Sequence, residues 1–148
     1  MNEIDFMKIA LAEAQKAYCL EEVPVGALIV KNNTIISKAH NQTRSLKLST
    51  KHAEIIALEK ASLALNNERL IDCELFVTKE PCAMCAGAII HTRIKKVFIG
   101  ARDPKAGACG TVLSVCGYKK LNHQPEISFG ILEEESSRLL KKFFHEKR

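Results

Sequence analysis

The chain has 148 residues, of which 47% are hydrophobic, and it carries a formal net charge of +5 at pH 7. This length fills one globular core and is too short for two ordinary domains, so we expect a single domain over residues 1–148. The first residues mix acids with apolar positions and show neither a basic leader nor an uninterrupted apolar run. The composition therefore predicts no signal peptide and no membrane span, and it favours the cytoplasm.

The first half of the chain predicts a helix, a hairpin and a second helix. Asp5 is expected to cap the first helix, whose apolar residues recur at helical spacing. The runs VGALIVK and TIISKAH are typical of strands, and the intervening Lys31–Asn33 suits a tight turn. The segment HAEIIALEKASLAL predicts a helix with Ile55, Leu58 and Leu65 on one face.

The second half alternates strands with helices. The short apolar runs CELFVT and KKVFIGA are typical of strands buried on both faces, and PCAMCAGAIIH between them predicts a helix opened by a proline. A further strand near Glu126–Phe129 ends at Gly130, and an amphipathic last helix follows. The order α, β, β, α, β, α, β, β, α predicts an α/β fold with a mixed sheet layered between helices.

Six cysteines in a chain without an export signal favour free thiols or metal ligands over a disulfide framework. Cys82 and Cys85 stand three apart at a predicted helix start, so both sulfurs leave the same face. A helix N-terminus favours the thiolates of a redox dithiol and of a zinc pair equally, so the spacing alone does not choose between them. A four-ligand structural zinc site would need a second Cys-x-x-Cys, which the sequence lacks.

The segment KHAEIIAL offers the other half of a metal site. Two adjacent parallel strands feeding two helices would bring both helix N-termini to one sheet edge, where α/β proteins place ligands. His52, Cys82 and Cys85 then give three zinc ligands and leave a fourth position for a water of lowered pKa. Glu54 is free to act as general acid and base. His-x-Glu with Pro-Cys-x-x-Cys is the pattern of zinc nucleobase deaminases.

Over nearly its whole length the chain resembles the bacterial tRNA-specific adenosine deaminases, which convert wobble adenosine to inosine. The resemblance is carried by VPVGALIV, HAEIIAL and LFVTKEPCAMCAGAIIHTRIKKVFIGARDPKAGACGT, together with Asn41, Asn122-His123 and Phe143-Phe144. HAE with PCxxC marks the wider cytidine deaminase superfamily. The resemblance implies a three-layer α/β/α cytidine deaminase-like fold with a five-stranded mixed sheet, a homodimer and one Zn²⁺ per subunit.

The resemblance also assigns roles to single residues. It implies His52, Cys82 and Cys85 as metal ligands and Glu54 as proton shuttle. It further implies that Asn41 and Asn122 contact the flipped nucleotide, that Val25 helps to shape its pocket, and that Asp103 occupies an acidic position near the bound strand. The implied chemistry is attack at adenine C6 with loss of ammonia, in the single-stranded anticodon loop of a tRNA. We expect Asp103 to help read a ribose hydroxyl.

The chain departs from the family pattern on its nucleic-acid side. LSTK at residues 48–51 stands where Asp-Pro-Thr-Ala is usual, Gln42 where arginine is common, and Lys79 where leucine is usual.

Two rival functions remain open on the sequence. The same zinc centre would serve a deaminase of free guanine, cytosine or a nucleotide. A silent zinc module would only bind RNA or partner an active deaminase, without turnover of its own. Glu54 argues against the silent module, because such a module needs no proton shuttle. The basic tail, with Lys141, Lys142, Lys147 and Arg148, suits RNA phosphates and equally a solvated helix end.

Overall fold

The computed structural model describes residues 1–147, so Arg148 of the basic tail lies outside the described residues. The strands are β1 (Gly26–Lys31), β2 (Thr34–His40), β3 (Cys73–Lys79), β4 (Lys96–Ala101) and β5 (Glu126–Phe129). The helices are α1 (Glu3–Cys19), α2 (Thr43–Leu46), α3 (Ala53–Leu65), α4 (Ala83–His91) and α5 (Glu133–Glu146). The predicted order of elements is confirmed, with the short α2 as an unpredicted addition.

The five strands form one mixed sheet in the order β2-β1-β3-β4-β5. β1 runs antiparallel to both β2 and β3, whereas β3, β4 and β5 are mutually parallel. β2 and β3 therefore point the same way, and the helices that follow them, α3 and α4, begin at the same sheet edge. Our prediction that these two strands are adjacent was wrong, because the hairpin places β1 between them.

Strand alternation divides the core into two layers. On β3, Leu75 and Val77 pack in a cluster with residues of α3 and α4, while Phe76 lies in a second cluster with Phe6 of α1. Phe76 stacks on Phe98 with ring centroids 4.4 Å apart. The sheet thus lies between helices, which confirms the predicted α/β architecture.

The cap of α1 differs from the sequence expectation, whereas the hairpin turn agrees with it. Asn2, not Asp5, is the N-cap of α1; Asp5 completes a capping box by accepting a hydrogen bond from the Asn2 N–H. In α5, Phe143 is buried whereas Phe144 is 45% exposed. The turn at Asn32 and Asn33 is confirmed, and both residues take positive φ angles that suit a tight hairpin.

All six cysteines are unpaired thiols in the structure. Outside the Cys-x-x-Cys pair, Cys73, Cys109 and Cys116 are buried and Cys19 is exposed. Within residues 1–147, no helix combines the length and apolar character needed to span a membrane.

Candidate active site

Two helices begin with an unusual residue at the edge where β2 and β3 end. His52 is the N-cap of α3 and Cys82 is the N-cap of α4, positions that usually hold Ser, Thr, Asp or Asn. Neither side chain bonds the N–H groups of its own helix. Both are instead turned toward each other, and Cys85, in the first turn of α4, completes the group.

The three donor atoms fit a zinc ion. Nδ1 of His52 lies 3.7 Å from Sγ of Cys82 and 3.6 Å from Sγ of Cys85. In a tetrahedral zinc site with Zn–S of about 2.3 Å and Zn–N of about 2.0–2.1 Å, nitrogen and sulfur ligands are about 3.5–3.6 Å apart. The separations of these donors are therefore those that such an ion requires, and imidazole with thiolates is a donor set that zinc favours.

The electrostatics of the group favour a thiolate at Cys82. Hydrogen bonds from Cys85 and His52 lower the pKa of Cys82 to about 3. The same bond to Cys82 raises the pKa of His52. A negatively charged sulfur at a helix N-terminus is the form that binds a metal.

Glu54 lies within the first turn of α3 and is 4% exposed. Burial raises the pKa of its carboxyl group. The side chain lines the same cavity as His52 and Cys82. A buried carboxyl beside three metal-type donors is suited to proton transfer rather than to a surface ion pair.

The cavity has a volume of about 240 Å³ and opens at this edge of the sheet. Three of the predicted substrate residues, Val25, Asn41 and Asp103, line it. Asn122 lies instead along a second depression, together with Arg93 and Lys120. Six of the eight predicted site residues thus line one cavity, and the fully buried Cys85 adjoins it through its contact with His52. The contact expected from Asn122 stays a prediction.

The cavity wall also contains two residues that were not predicted as site residues. Lys79, the last residue of β3, lies with its ammonium 3.2 Å from Oδ2 of Asp103. Glu80 follows it and is 2% exposed. The sequence signal that could have identified Lys79 and Glu80 as site residues is their position, since two charged residues stand between an apolar strand and the Pro-Cys-x-x-Cys motif.

A further buried carboxylate, that of Glu22, holds the start of α2. Glu22 is fully buried and accepts hydrogen bonds from the N–H groups of Arg44 at 3.1 Å and Ser45 at 2.6 Å. Burial opposes its charge, but these bonds and the Ser45 hydroxyl hold the pKa of Glu22 below its usual value. These hydrogen bonds to Glu22 anchor α2, and the first residue of that helix, Thr43, lines the cavity together with Asn41.

Comparison with known proteins agrees with this geometry. Residues 1–148 match the MafB19-like deaminase family. The chain is 45% identical over 143 residues to a tRNA-specific adenosine deaminase of Bacillus subtilis, covering 97% of this chain and 89% of the relative. The chain belongs to the tRNA-specific adenosine deaminase family. This membership is consistent with the site, where His52 and Glu54 of the His-Ala-Glu motif meet the two cysteines of the Pro-Cys-x-x-Cys motif.

Solved structures place this member of the tRNA-specific adenosine deaminase family among cytidine deaminase-like folds. A structure from studies of A-to-I editing by tRNA:A34 deaminases at the wobble position superposes with a TM-score of 0.89 at 41% identity, covering 92% of this chain and 99% of the other. A guanine deaminase of Bacillus subtilis superposes with a TM-score of 0.68 at 31% identity, covering 96% and 94%. The predicted three-layer fold is confirmed.

Proposed function

We propose that this chain hydrolytically deaminates adenosine to inosine at the wobble position of a tRNA anticodon loop. One observation carries the chemistry: Nδ1 of His52 lies at zinc-ligand separations from the sulfurs of Cys82 and Cys85, and the buried carboxyl group of Glu54 lines the same cavity as His52 and Cys82. The substrate is supported by similarity to tRNA-specific adenosine deaminases and to the tRNA:A34 deaminase structure.

His52, Cys82 and Cys85 would hold one Zn²⁺ per subunit. When bound, zinc supplies a Lewis acid that lowers the pKa of water to about 7. Glu54 takes a proton from the water that attacks adenine C6 and delivers a proton to the departing amino group. Adenosine and water thereby yield inosine and ammonia. The burial that raises the pKa of Glu54 makes its carboxyl group competent both to accept and to return this proton.

The cavity walls would bind the nucleotide that leaves the stack. Val25 supplies an apolar surface, and Asn41 supplies a side-chain amide close to it. Asp103 also lines the cavity, and we propose that it reads a ribose hydroxyl there. An anticodon loop is a suitable source of the base, because taking a base from a single strand costs less than taking one from a duplex.

We further propose a cytoplasmic homodimer of single-domain subunits, with the tRNA anticodon stem-loop as partner. Residues 112–121, which lie between β4 and β5, support the dimer, because large exposed apolar side chains there would be covered by a second subunit. These side chains are Val112, Leu113, Tyr118 and Leu121. Sedimentation of the zinc-loaded protein should give the mass of a dimer, and a monomer at all micromolar concentrations would contradict this part.

The test of function is a substrate comparison. The zinc-loaded protein is incubated with an anticodon stem-loop carrying adenosine at the wobble position, with the same loop carrying adenosine at a neighbouring position, and with free adenosine, cytidine, cytosine and guanine. Mass spectrometry quantifies the deaminated products. We expect inosine from the wobble adenosine alone, and no conversion of that loop would overturn the proposal.

A second candidate is deamination of a free base such as guanine. The similarity to the Bacillus subtilis guanine deaminase favours it over other small substrates. The lower identity, 31% against 45% for the tRNA-specific relative, places it second. Turnover confined to free guanine, with a KM independent of salt, would support this alternative, since phosphate contacts make RNA binding salt-dependent.

A further inference from the structure

The loop that follows β4, residues 102–111, is attached to the chain before Cys82 by one buried carboxylate. Oε1 of Glu80 accepts hydrogen bonds from the Asp103 N–H at 3.1 Å and from the Thr111 hydroxyl. Oε2 accepts from the N–H groups of Cys109 at 3.0 Å and Thr111 at 3.2 Å. Each oxygen thus receives two donors, and the hydrogen-bonding capacity of the carboxylate is well satisfied.

Further contacts tighten the same junction. The Glu80 N–H donates to the Ala101 carbonyl at 2.8 Å, and the Ala108 N–H donates to the Pro81 carbonyl at 2.9 Å. A Cβ atom at Gly107 would lie 2.4 Å from Cδ of Glu80. The absence of a side chain at Gly107 is therefore what lets the loop approach the carboxylate this closely.

Both sides of the junction carry site residues. On one side, Glu80 stands two positions before Cys82, a proposed metal ligand. On the other side, the loop supplies Asp103 and Ala106 to the cavity wall. Glu80 therefore links this wall to the segment that carries Cys82.

We propose that Glu80 is a positioning residue, which holds the loop 102–111 at the distance from Cys82 that fits the substrate nucleotide. The identity of that nucleotide rests on the function proposed above. Both oxygens of Glu80 are occupied by the loop, so Glu80 acts through Asp103 and Ala106 and takes no part in proton transfer.

Glu80→Gln is the sharpest test, because it keeps the shape of the side chain and replaces one acceptor oxygen with an NH₂ group. That group would face two donors of the loop, so at least one buried hydrogen bond is lost. We expect the KM for the stem-loop to rise about tenfold, while kcat changes by less than about threefold. Bound zinc should stay at one ion per subunit, and deuterium exchange of the amides of Asp103, Cys109 and Thr111 should accelerate.

A second variant and a control make the test independent of one substitution. Gly107→Ala displaces the loop from the other side without changing any charge, and it should raise the KM and speed loop exchange in the same way. Glu13→Gln is the matched control, because Glu13 is 5% exposed but lies on α1, where it binds Lys16 at 2.6 Å. This control should keep the parent KM and the parent exchange pattern.

The proposal is overturned if Glu80→Gln and Gly107→Ala leave loop exchange unchanged, lower only kcat, or lose zinc. Exchange and zinc content are measured without substrate, so they test Glu80 even if the proposed function fails. If the parent protein turns over only a free base, the KM comparison is made on that base, and the two proposals then succeed or fail separately.

Discussion

The ammonium of Lys79 and the carboxylate of Asp103 form an ion pair across the cavity wall, with Nζ 3.2 Å from Oδ2. The other oxygen, Oδ1, accepts hydrogen bonds from the N–H groups of Lys105 at 2.9 Å and Ala106 at 3.3 Å. Burial opposes the charge of Asp103, but these partners hold its pKa below the ordinary value. The proposed ribose contact is therefore a fixed, ionised acid.

Lys79→Leu should raise the pKa of Asp103, because the amide hydrogen bonds alone then oppose burial. A carboxyl group with a lowered folded pKa stabilises the protein above its ordinary pKa of 3.8 and loses that contribution as the pH falls through the folded value. The variant should therefore lose less stability on acidification. Carbon-13 NMR titration of Asp103 measures the shift, with Lys96→Leu as control for loss of a partly exposed lysine. An unchanged Asp103 titration would contradict the pairing.

Glu54→Gln should retain zinc and lose turnover. The amide keeps the volume of the buried side chain but cannot move a proton, so we expect kcat to fall by at least about 10²-fold. Metal analysis and stem-loop turnover are measured on the same sample. Glu59→Gln, an exposed change on the same helix, should behave as the parent. A Glu54→Gln protein with near-normal kcat would refute the proton-transfer role.

Metal removal should lower the thermal midpoint of the parent protein. A ligand that binds only the folded state stabilises it by mass action, and the three proposed ligands come together only after α3 and α4 have docked. Calorimetry with and without a chelator should therefore show a shift in the parent and in Cys19→Ser, where the thiol is exposed. Cys82→Ser should lose zinc and turnover and show little shift. A chelator effect of equal size in Cys82→Ser would exclude this site.

Acid stability should depend on Glu22. Since its folded pKa is lowered, its ionised form contributes stability above the ordinary value of 4.5, and this contribution is lost as the pH falls through the folded value. Glu22→Gln should be less stable at neutral pH and lose less stability on acidification. Denaturant unfolding across this range tests the sign, with exposed Glu21→Gln as control. Parallel pH profiles for the parent and Glu22→Gln would contradict it.

The elements and the grouping of metal-type donors could be predicted, because both depend on local patterns. Hydrophobic periodicity located the strands and long helices, and helix-start signals placed His52 and Cys82 at comparable positions on two helices. The prediction that α3 and α4 begin at the same sheet edge is confirmed even though β1 separates β2 from β3. Because β1 is antiparallel to both strands, β2 and β3 still run in the same direction.

The remaining features depend on contacts between distant parts of the chain. Glu80 and Thr111 are 31 residues apart, and Glu22 and Ser45 are 23 apart, so no local pattern indicates that they meet. Asn122 could be matched to the family by its neighbour His123, but the sequence did not show that it lies along a different depression from Asn41. Tertiary placement decides these positions.

Three of the four hydrogen bonds that Glu80 accepts come from main-chain N–H groups. A main-chain donor is retained under any substitution except proline. Side chains between residues 102 and 111 are therefore able to diverge while the loop stays attached beside the metal ligands. In a laboratory evolution experiment, this loop is the segment to randomise for new base preference, with Glu80 and Gly107 held constant.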